Sequence, residues 1–326
     1  MGTIFVYLMH QGGRLHDTAR ELLGAGLTLD PAAQVVALVA GDGPALDSAC
    51  QEAAGLFPQV WKIAHPDLTQ INAELLRPLL ARLIPAGALT LLAHEHFGMD
   101  LAPGLAVKLD AAYLADAVAL EGTRDGRLVA VRDILSGMVR TRVAVDLAGG
   151  LVATLRPGAF KAVEPAGSYG LVIDKSEDAL AGGLPDLRRR YLQTVAAEAG
   201  DVDITKAEVL VSVGRGIEDE ENLEIAFNLA KALGAEVSCS RPIVDAKWLE
   251  KARQVGTSGK TVRPKIYLAC GISGSSQHLG GLQGASFVIA INKNAKAPIF
   301  QRADVGVVTD IIKFLPQLTE AVKGAR

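Results

Sequence analysis

The chain has 326 residues, 49% of them hydrophobic and 21% charged, with a formal net charge of −3. That composition supplies buried cores and excludes a disordered or collagen-like chain, and the length suits about two domains. There is no basic stripe for a nucleic acid and no apolar run of about 18 or more residues, so neither nucleic-acid binding nor a membrane span is expected.

Residues 1–10 have no basic n-region and read as a first strand rather than a signal peptide. Continuous apolar runs at 3–8, 34–40, 60–64 and 88–93 alternate with helical patterns, one through Leu15, Ala19, Leu22 and Leu23 and another over 68–83. Such runs, separated by helices, predict a parallel sheet covered on both faces. Beyond Leu109 the pattern changes. Residues 118–121, 128–133, 138–146 and 151–155 read as strands joined by short glycine-containing turns, an antiparallel or mixed portion at the sheet edge. Residues 168–174 read as one last strand, 177–186 as exposed linker and 186–199 as a helix. The run Arg188, Arg189, Arg190, close to Asp186 and Glu198, reads as a solvated face of that helix.

A second alternation begins near Asp203, with strands at 209–213, 236–239, 265–269, 287–291 and 305–308. An amphipathic helix over 220–233 stops at Gly234, and a final helix spans 309–322. The expected fold is α/β in two domains. Residues 1–200 form a parallel/mixed sheet domain with a linker near 176–200, and residues 203–326 form a doubly wound domain. Ligands of doubly wound sheets bind at the carboxyl ends of the strands.

Three widely spaced cysteines, Cys50, Cys239 and Cys270, form no CxxC pair and no zinc spacing, which predicts inert, reduced core thiols in a cytoplasmic protein. His94-Glu95-His96 suggests a metal, because alternate residues of a strand share a face, but no third ligand is visible and a polar loop is the preferred reading. His10 and His16 flank another loop, and Trp61 and Trp248 read as packing residues.

The chemistry concentrates at strand ends of the second domain. Gly271-Ile272-Ser273-Gly274-Ser275-Ser276-Gln277-His278 follows a strand and leads into a helical pattern. It reads either as a backbone cradle for a phosphate or as a plain tight turn with a serine cap. Gly214-Arg215-Gly216 and Ser240-Arg241-Pro242 occupy equivalent places, with Pro242 holding the chain at Arg241. The loop from Gln254 to Lys260 lacks the GxxxxGK[ST] spacing and precedes no helix, which excludes a nucleoside-triphosphatase loop. Asn292 and Asp310 end two further strands.

In order, the motifs Val-Gly-Arg-Gly at 213–216, Ser-Arg-Pro-Ile-Val-Asp at 240–245, Arg-Gln-Val-Gly at 253–256 and Gly-Lys-Thr-Val-Arg-Pro at 259–264 resemble the α subunit of electron-transfer flavoproteins. So do Gly-Ile-Ser-Gly-Ser-Ser-Gln-His at 271–278, Ala-Ile-Asn-Lys at 290–293, Ala-Pro-Ile-Phe at 297–300 and Ala-Asp-Val-Gly-Val-Val-Thr-Asp at 303–310. The first half resembles the family more loosely, at 97–103 and 155–160. The resemblance implies a heterodimeric electron carrier that performs no substrate chemistry and binds FAD in its C-terminal domain. It implies flavin contacts at Arg215, Ser240, Arg241, Val255, Gly256, Thr257, Ser258, Ser273, Gly274, Ser275, Ser276, Gln277, His278, Asn292 and Asp310. His278 would be a donor near the flavin C2 carbonyl, Arg241 would lie against the ring, and Ser258, where the family usually has threonine, would place a hydroxyl near N5. Gly274 to Ser276 would meet the pyrophosphate or ribityl chain, and Asn292 and Asp310 the ribose and adenine end. Thr257 stands where the family commonly has glutamine, and Met99 and Gly104 where arginines are frequent.

The implied partners are a β subunit packed on the first domain, flavin dehydrogenases such as those of fatty acid oxidation acting on acyl-CoA, and a quinone-linked or other redox acceptor. Two arrangements stay open: one FAD with AMP in the β subunit, or half of an electron-bifurcating complex using NADH with a second FAD there. A nucleotide-binding or adenylating module in the first domain is the alternative. It needs a phosphate loop after Leu8 or Val39, and Gln11-Gly12-Gly13 and Gly41-Asp42-Gly43 are short for one and carry no lysine or serine pattern.

Overall fold

The computed structural model describes residues 2–135, 139–164, 170–193, 202–282 and 285–325. The chain divides into two units, Met1–Gln193 and Thr194–Arg326.

In the first unit, β1 (Ile4–Leu8) leads through a small hairpin, β2 (His10–Gln11) and β3 (Arg14–Leu15), into α1 (Thr18–Leu29). The alternation continues with β4 (Val35–Gly41), α2 (Gly43–Ala54), β5 (Gln59–Ala64), α3 (Ala73–Leu83), β6 (Leu89–Ala93) and α4 (His96–Lys108). It ends with β7 (Ala112–Arg124), β8 (Arg127–Ile134), β9 (Val139–Asp146), β10 (Leu151–Leu155), β11 (Leu171–Asp174) and α5 (Ser176–Leu180). The nine-stranded sheet has the order β11-β5-β4-β1-β6-β10-β7-β8-β9. Its β7–β8–β9 edge is antiparallel and the rest parallel. Alternate residues of β1 feed two cores: Ile4, Val6 and Leu8 meet α1 and α2 residues, while Phe5 and Tyr7 meet α3 and α4 residues. Burial on both faces is why the strand reads as an unbroken apolar run.

The described residues depart from expectation at three places. Residues 151–155 do not belong to the antiparallel edge: β10 runs parallel between β6 and β7, and all five of its residues are buried. The helix expected over 186–199 does not form in residues 186–193. Instead, the backbone N–H groups of Arg188 and Arg189 both donate to the Glu74 carboxylate at 3.0 Å, and the Arg189 guanidinium reaches Asp100 at 2.6 Å. Side-chain partners on α3 and α4 take the place of a helical ladder. The segment expected as exposed linker begins in α5, where Ala179 is buried. Residues 138, 168–169 and 194–199 of the predicted elements lie outside the described residues.

Arg156 follows β10 and gathers the sheet edge. It donates to Asp116 of β7 at 2.9 Å and to Asp133 of β8 at 3.1 Å, and Arg140 of β9 closes on Asp133 at 2.8 Å. Arg156→Ala leaves two half-buried carboxylates without their shared cation. It is expected to lower the stability of the first unit by about 2 kcal/mol, less than a fully buried pair because solvent reaches the cluster. Urea unfolding followed by the fluorescence of Trp61, the tryptophan of this unit, checks it.

The second unit holds a five-stranded parallel sheet. Its elements are β12 (Val209–Val213), α6 (Leu223–Leu233), β13 (Glu236–Cys239), α7 (Arg241–Asp245), β14 (Ile266–Cys270), α8 (Ser276–Leu279), β15 (Phe287–Asn292), β16 (Val305–Val308) and α9 (Ile311–Gly324). The order β13-β12-β14-β15-β16 makes a switch point between β12 and β14, where successive connections depart to opposite sides. Long helices α6 and α9 pack on one face through Leu223, Leu229, Ile311 and Leu315. The opposite face is covered by irregular segments that bury Val255, Val262, Leu282 and Ile299. Gly234 ends α6 in the left-handed conformation, φ +68°.

Candidate functional site

All five strands of the second sheet end at one edge, and the sequence places polar loops directly after them. At the switch point the β12 and β14 loops touch through glycines. Gly214 N–H donates to the Cys270 carbonyl at 2.9 Å, and Gly216 N–H donates to the Gly271 carbonyl at 3.1 Å. Gly271 has φ +67°, and a Cβ on it would lie 2.7 Å from the Gly216 Cα.

A cavity of about 650 Å³ opens there, within the range of small-molecule and cofactor sites. It brings together Arg215, Ser240, Arg241, Val255, Gly256, Thr257, Ser258, Ser273, Ser275, Gln277, His278, Asn292 and Asp310. Gly274 and Ser276 are not among its lining residues. Gly274 is buried at φ +82° against the backbone of Ile299, and the Ser276 hydroxyl turns to its neighbour Gln277 at 3.3 Å. The helix after this loop, α8, is a single turn capped by Ser275, too short for the N-terminal field that a phosphate cradle draws on.

The loop from Gln254 to Lys260 is anchored at both sides. Val255 N–H donates to the Cys239 carbonyl at 2.9 Å, and Thr257 N–H donates to the Gln277 carbonyl at 2.8 Å. Gly281 packs directly on the Gly256 backbone, so the two cavity loops form one wall. Gln254, which sequence reasoning left out of the site, is buried and donates its amide to the Ser258 hydroxyl oxygen at 2.9 Å. That bond uses an acceptor site of Ser258 and leaves its own proton free to point at a ligand. Lys293, Asn294 and Asp245 also line the cavity and were not expected there. The signal was position alone: Lys293 and Asn294 directly follow a strand end, and Asp245 stands one helical turn after Arg241.

Charge is unevenly committed. Arg241 pairs with Asp245 at 3.4 Å, and Lys293 pairs with Glu218 at 2.7 Å. Among the described residues Arg215 has no ion-pair partner and is the cation most available to an anion. Asn292 spends its amide on the Ile272 carbonyl at 2.9 Å and its oxygen on Asn294 N–H at 2.9 Å, so it holds two loops together as well as lining the cavity. Asp310 caps α9 by accepting from Ile312 N–H at 2.9 Å. His278 is buried. Desolvation holds its pKa down at about 4, with the Val255 backbone the weaker, opposing influence, so the ring is neutral at pH 7. Its Nδ1 makes no hydrogen bond among the described residues.

The other chemical candidates do not form sites. Among the described residues no group of three or more His, Cys, Asp or Glu could hold a metal ion. His94 bonds Thr154 through Nδ1 at 2.9 Å, and Glu95 bonds His16 at 3.1 Å. Gln11-Gly12-Gly13 lies in the turn of the β2–β3 hairpin rather than between a strand and a helix. Burial pushes the thiols of Cys239 and Cys270 up to about 12 and that of Cys50 up to about 11, which keeps all three protonated. No helix among the described residues is long and apolar enough to cross a membrane.

A parallel sheet with a cofactor-sized cleft at its switch point, walled by arginine, hydroxyl and imidazole donors, is the build of a nucleotide-cofactor domain. Residues 203–283 match the electron transfer flavoprotein FAD-binding domain, and residues 4–180 match the electron transfer flavoprotein domain. The protein FixB of Azorhizobium caulinodans is 34% identical, over 98% of this chain and 88% of its own length. The electron transfer flavoprotein subunit alpha of Bacillus subtilis is 33% identical, over 95% of this chain and 94% of its own. That of Clostridium acetobutylicum is 38% identical over 70% and 68%. The chain belongs to the electron transfer flavoprotein family, as an α subunit, and is an electron carrier rather than an enzyme. The cofactor of its second domain is FAD. The cavity's donor set suits that group: an uncommitted arginine for phosphate charge, several serine hydroxyls, and a buried ring nitrogen whose hydrogen-bonding capacity is unused.

Proposed function

We propose that this chain holds one FAD in the cavity at the β12/β14 switch point and, paired with a β subunit, relays single electrons between flavin dehydrogenases and a downstream acceptor. Bound FAD supplies the one-electron redox chemistry; the chain supplies orientation and field. The observation that carries the reading is the convergence of loops from every strand end on one cavity, with the buried imidazole of His278 among its lining residues. Arg215 is assigned to the phosphates. Arg241, tethered by Asp245, is assigned to the ring, and Ser258, oriented by Gln254, to a donor position at the ring edge. His278 acts as a neutral donor, since burial keeps it from being a cation. A donor and a nearby cation both favour negative charge on the ring and raise the potential at which the first electron enters.

The test is co-expression with the β subunit followed by a visible spectrum and a flavin count. One FAD per heterodimer supports the plain carrier, two mark the bifurcating arrangement, and a colourless heterodimer overturns the assignment. Arg241→Ala is expected to lower the first reduction potential by about 40–90 mV, the equivalent of about 1–2 kcal/mol for one charge on a solvated side chain such as Arg241. Redox titration of the heterodimer reads it directly.

A further inference from the structure

The His278 ring is itself held by a phenol. Tyr267 stands on β14, completely buried, with its hydroxyl 2.8 Å from His278 Nε2. Ser212 of β12 and Ser238 of β13 are buried partners in the sheet register, and neither hydroxyl makes a hydrogen bond among the described residues. Burial raises the Tyr267 pKa far above its ordinary value, with the nearby serines a weaker influence the other way, so the phenol keeps its proton.

A neutral imidazole carries one N–H, and there are two places to put it. If Nε2 carries it, Nε2–H donates to the phenol oxygen. The phenol proton is then left to the Ser212 and Ser238 hydroxyls, which stand beside it but outside good hydrogen-bond geometry, and His278 turns a lone pair rather than an N–H toward the Val255 backbone. Two buried polar groups are left unpaired, each costly. If the phenol donates to Nε2, Tyr267 is satisfied and the one unpaired group is an Nδ1–H on a residue that lines the cavity.

We infer that Tyr267 is a positioning residue for the cofactor site: by donating to Nε2 it holds His278 in the Nδ1–H tautomer, so that the ring offers the cavity a neutral donor and not a lone pair. Such a donor takes a carbonyl or negatively charged acceptor and turns away a group that can only donate. The identity of the acceptor as a flavin carbonyl rests on the FAD reading above. The tautomer does not; it belongs to the chain alone.

The test is a long-range 1H–15N correlation on the full-length chain with 15N-labelled histidine at pH 7, with His278→Gln used to assign the His278 signals among the six histidines. The expected result is Nδ1 in the protonated, pyrrole-type range and Nε2 in the unprotonated, pyridine-type range. The reverse pattern in the unsubstituted chain overturns the proposal, whatever becomes of any variant. In Tyr267→Phe the ratio of Nδ1–H to Nε2–H is expected to fall about tenfold, the worth of one buried hydrogen bond. A folded variant with an unchanged ratio removes Tyr267 from the role. A heterodimer without flavin would defeat the FAD reading and leave these spectra standing, so the two failures are distinguishable.

Discussion

Replacing Gly271 by alanine is expected to destabilise the second unit by about 2–5 kcal/mol and to abolish ligand binding at its cavity. Two separate costs add. A non-glycine residue at φ +67° costs about 1–2 kcal/mol, because its Cβ crowds the neighbouring carbonyl. The new methyl would also lie 2.7 Å from the Gly216 Cα and 2.9 Å from the Ile311 Cδ1, and relieving such overpacking costs about 1–3 kcal/mol. The Gly216 backbone cannot swing clear, and the Ile311 Cδ1, though the tip of a side chain, is buried in the core with little room to turn. Gly216 is backbone beside Arg215, and Ile311 opens α9 next to Asp310. Whatever shifts, two cavity residues shift with it. The measurement is urea unfolding followed by Trp248, the tryptophan of this unit, in a Trp61→Phe background. Gly43→Ala, followed through Trp61 of its own unit in a Trp248→Phe background, is the reference: Gly43 has φ +59° but open space where a Cβ would stand, so it carries the conformational cost alone. Equal losses at the two positions would mean that the β12–β14 contact is looser than its geometry indicates.

The parallel parts of both sheets are legible in the residues because a strand buried on both faces has no choice of composition. β1, β4, β6 and β12 are apolar nearly throughout for that reason. The same rule separates β10 from its neighbours. Leu-Val-Ala-Thr-Leu has no polar alternation, whereas β9, Val-Arg-Thr-Arg-Val-Ala-Val-Asp, alternates with every second residue exposed along most of its length. Proximity in sequence to the antiparallel hairpin hides this, and sheet order is set by contacts distant in the chain. The segment at 186–193 illustrates the opposite limit. Its helix-compatible residues are held by Glu74 and Asp100, more than 80 positions away in sequence, and no local pattern reports such partners.

At the site, strand-end position and loop composition pointed to most of the lining, because a doubly wound sheet delivers its loops to one edge. What stayed hidden is the layer behind. Gln254 behind Ser258 and Tyr267 behind His278 are both buried: Tyr267 reads as core within its apolar strand, and Gln254 opens a polar loop with no local mark that its side chain turns inward. Their roles follow from where a hydroxyl or an amide ends up, and that depends on packing. Gly274 reads two ways for the same reason: a glycine at positive φ in a polar loop suits a ligand's approach and equally suits the close approach of Ile299.

The buried imidazole also sets how the second unit responds to acid. His278 has an ordinary pKa of 6.5, and burial holds it at about 4 in the folded chain. Its pKa is therefore lower folded than unfolded, so the unfolded chain takes up a proton that the folded chain refuses. Above pH 6.5 both forms are neutral and the full stability is present. As pH falls from 6.5 toward 4 stability is lost, and below 4 the loss levels off. The total is on the order of 3 kcal/mol, most of it gone by pH 4.5. The window is clean in this unit for two reasons. The other five histidines, at positions 10, 16, 65, 94 and 96, all belong to the first unit. Asp203, whose carboxyl is held below its ordinary value by the Thr205 hydroxyl and backbone N–H, protonates only beneath the window. Unfolding followed by Trp248 in the Trp61→Phe background is thus expected to show a free energy lower by about 2–3 kcal/mol at pH 4.5 than at pH 7. In His278→Gln most of that slope should vanish, because glutamine has no proton to gain on unfolding. The sign is the informative part. A histidine that served as a cation in its own right would be stabilised by acid, and the second unit would grow firmer through the same interval. A loss confined to pH 4–6.5 and removed by the glutamine variant identifies a ring that the fold keeps uncharged, the state in which a single N–H donor can face the cavity.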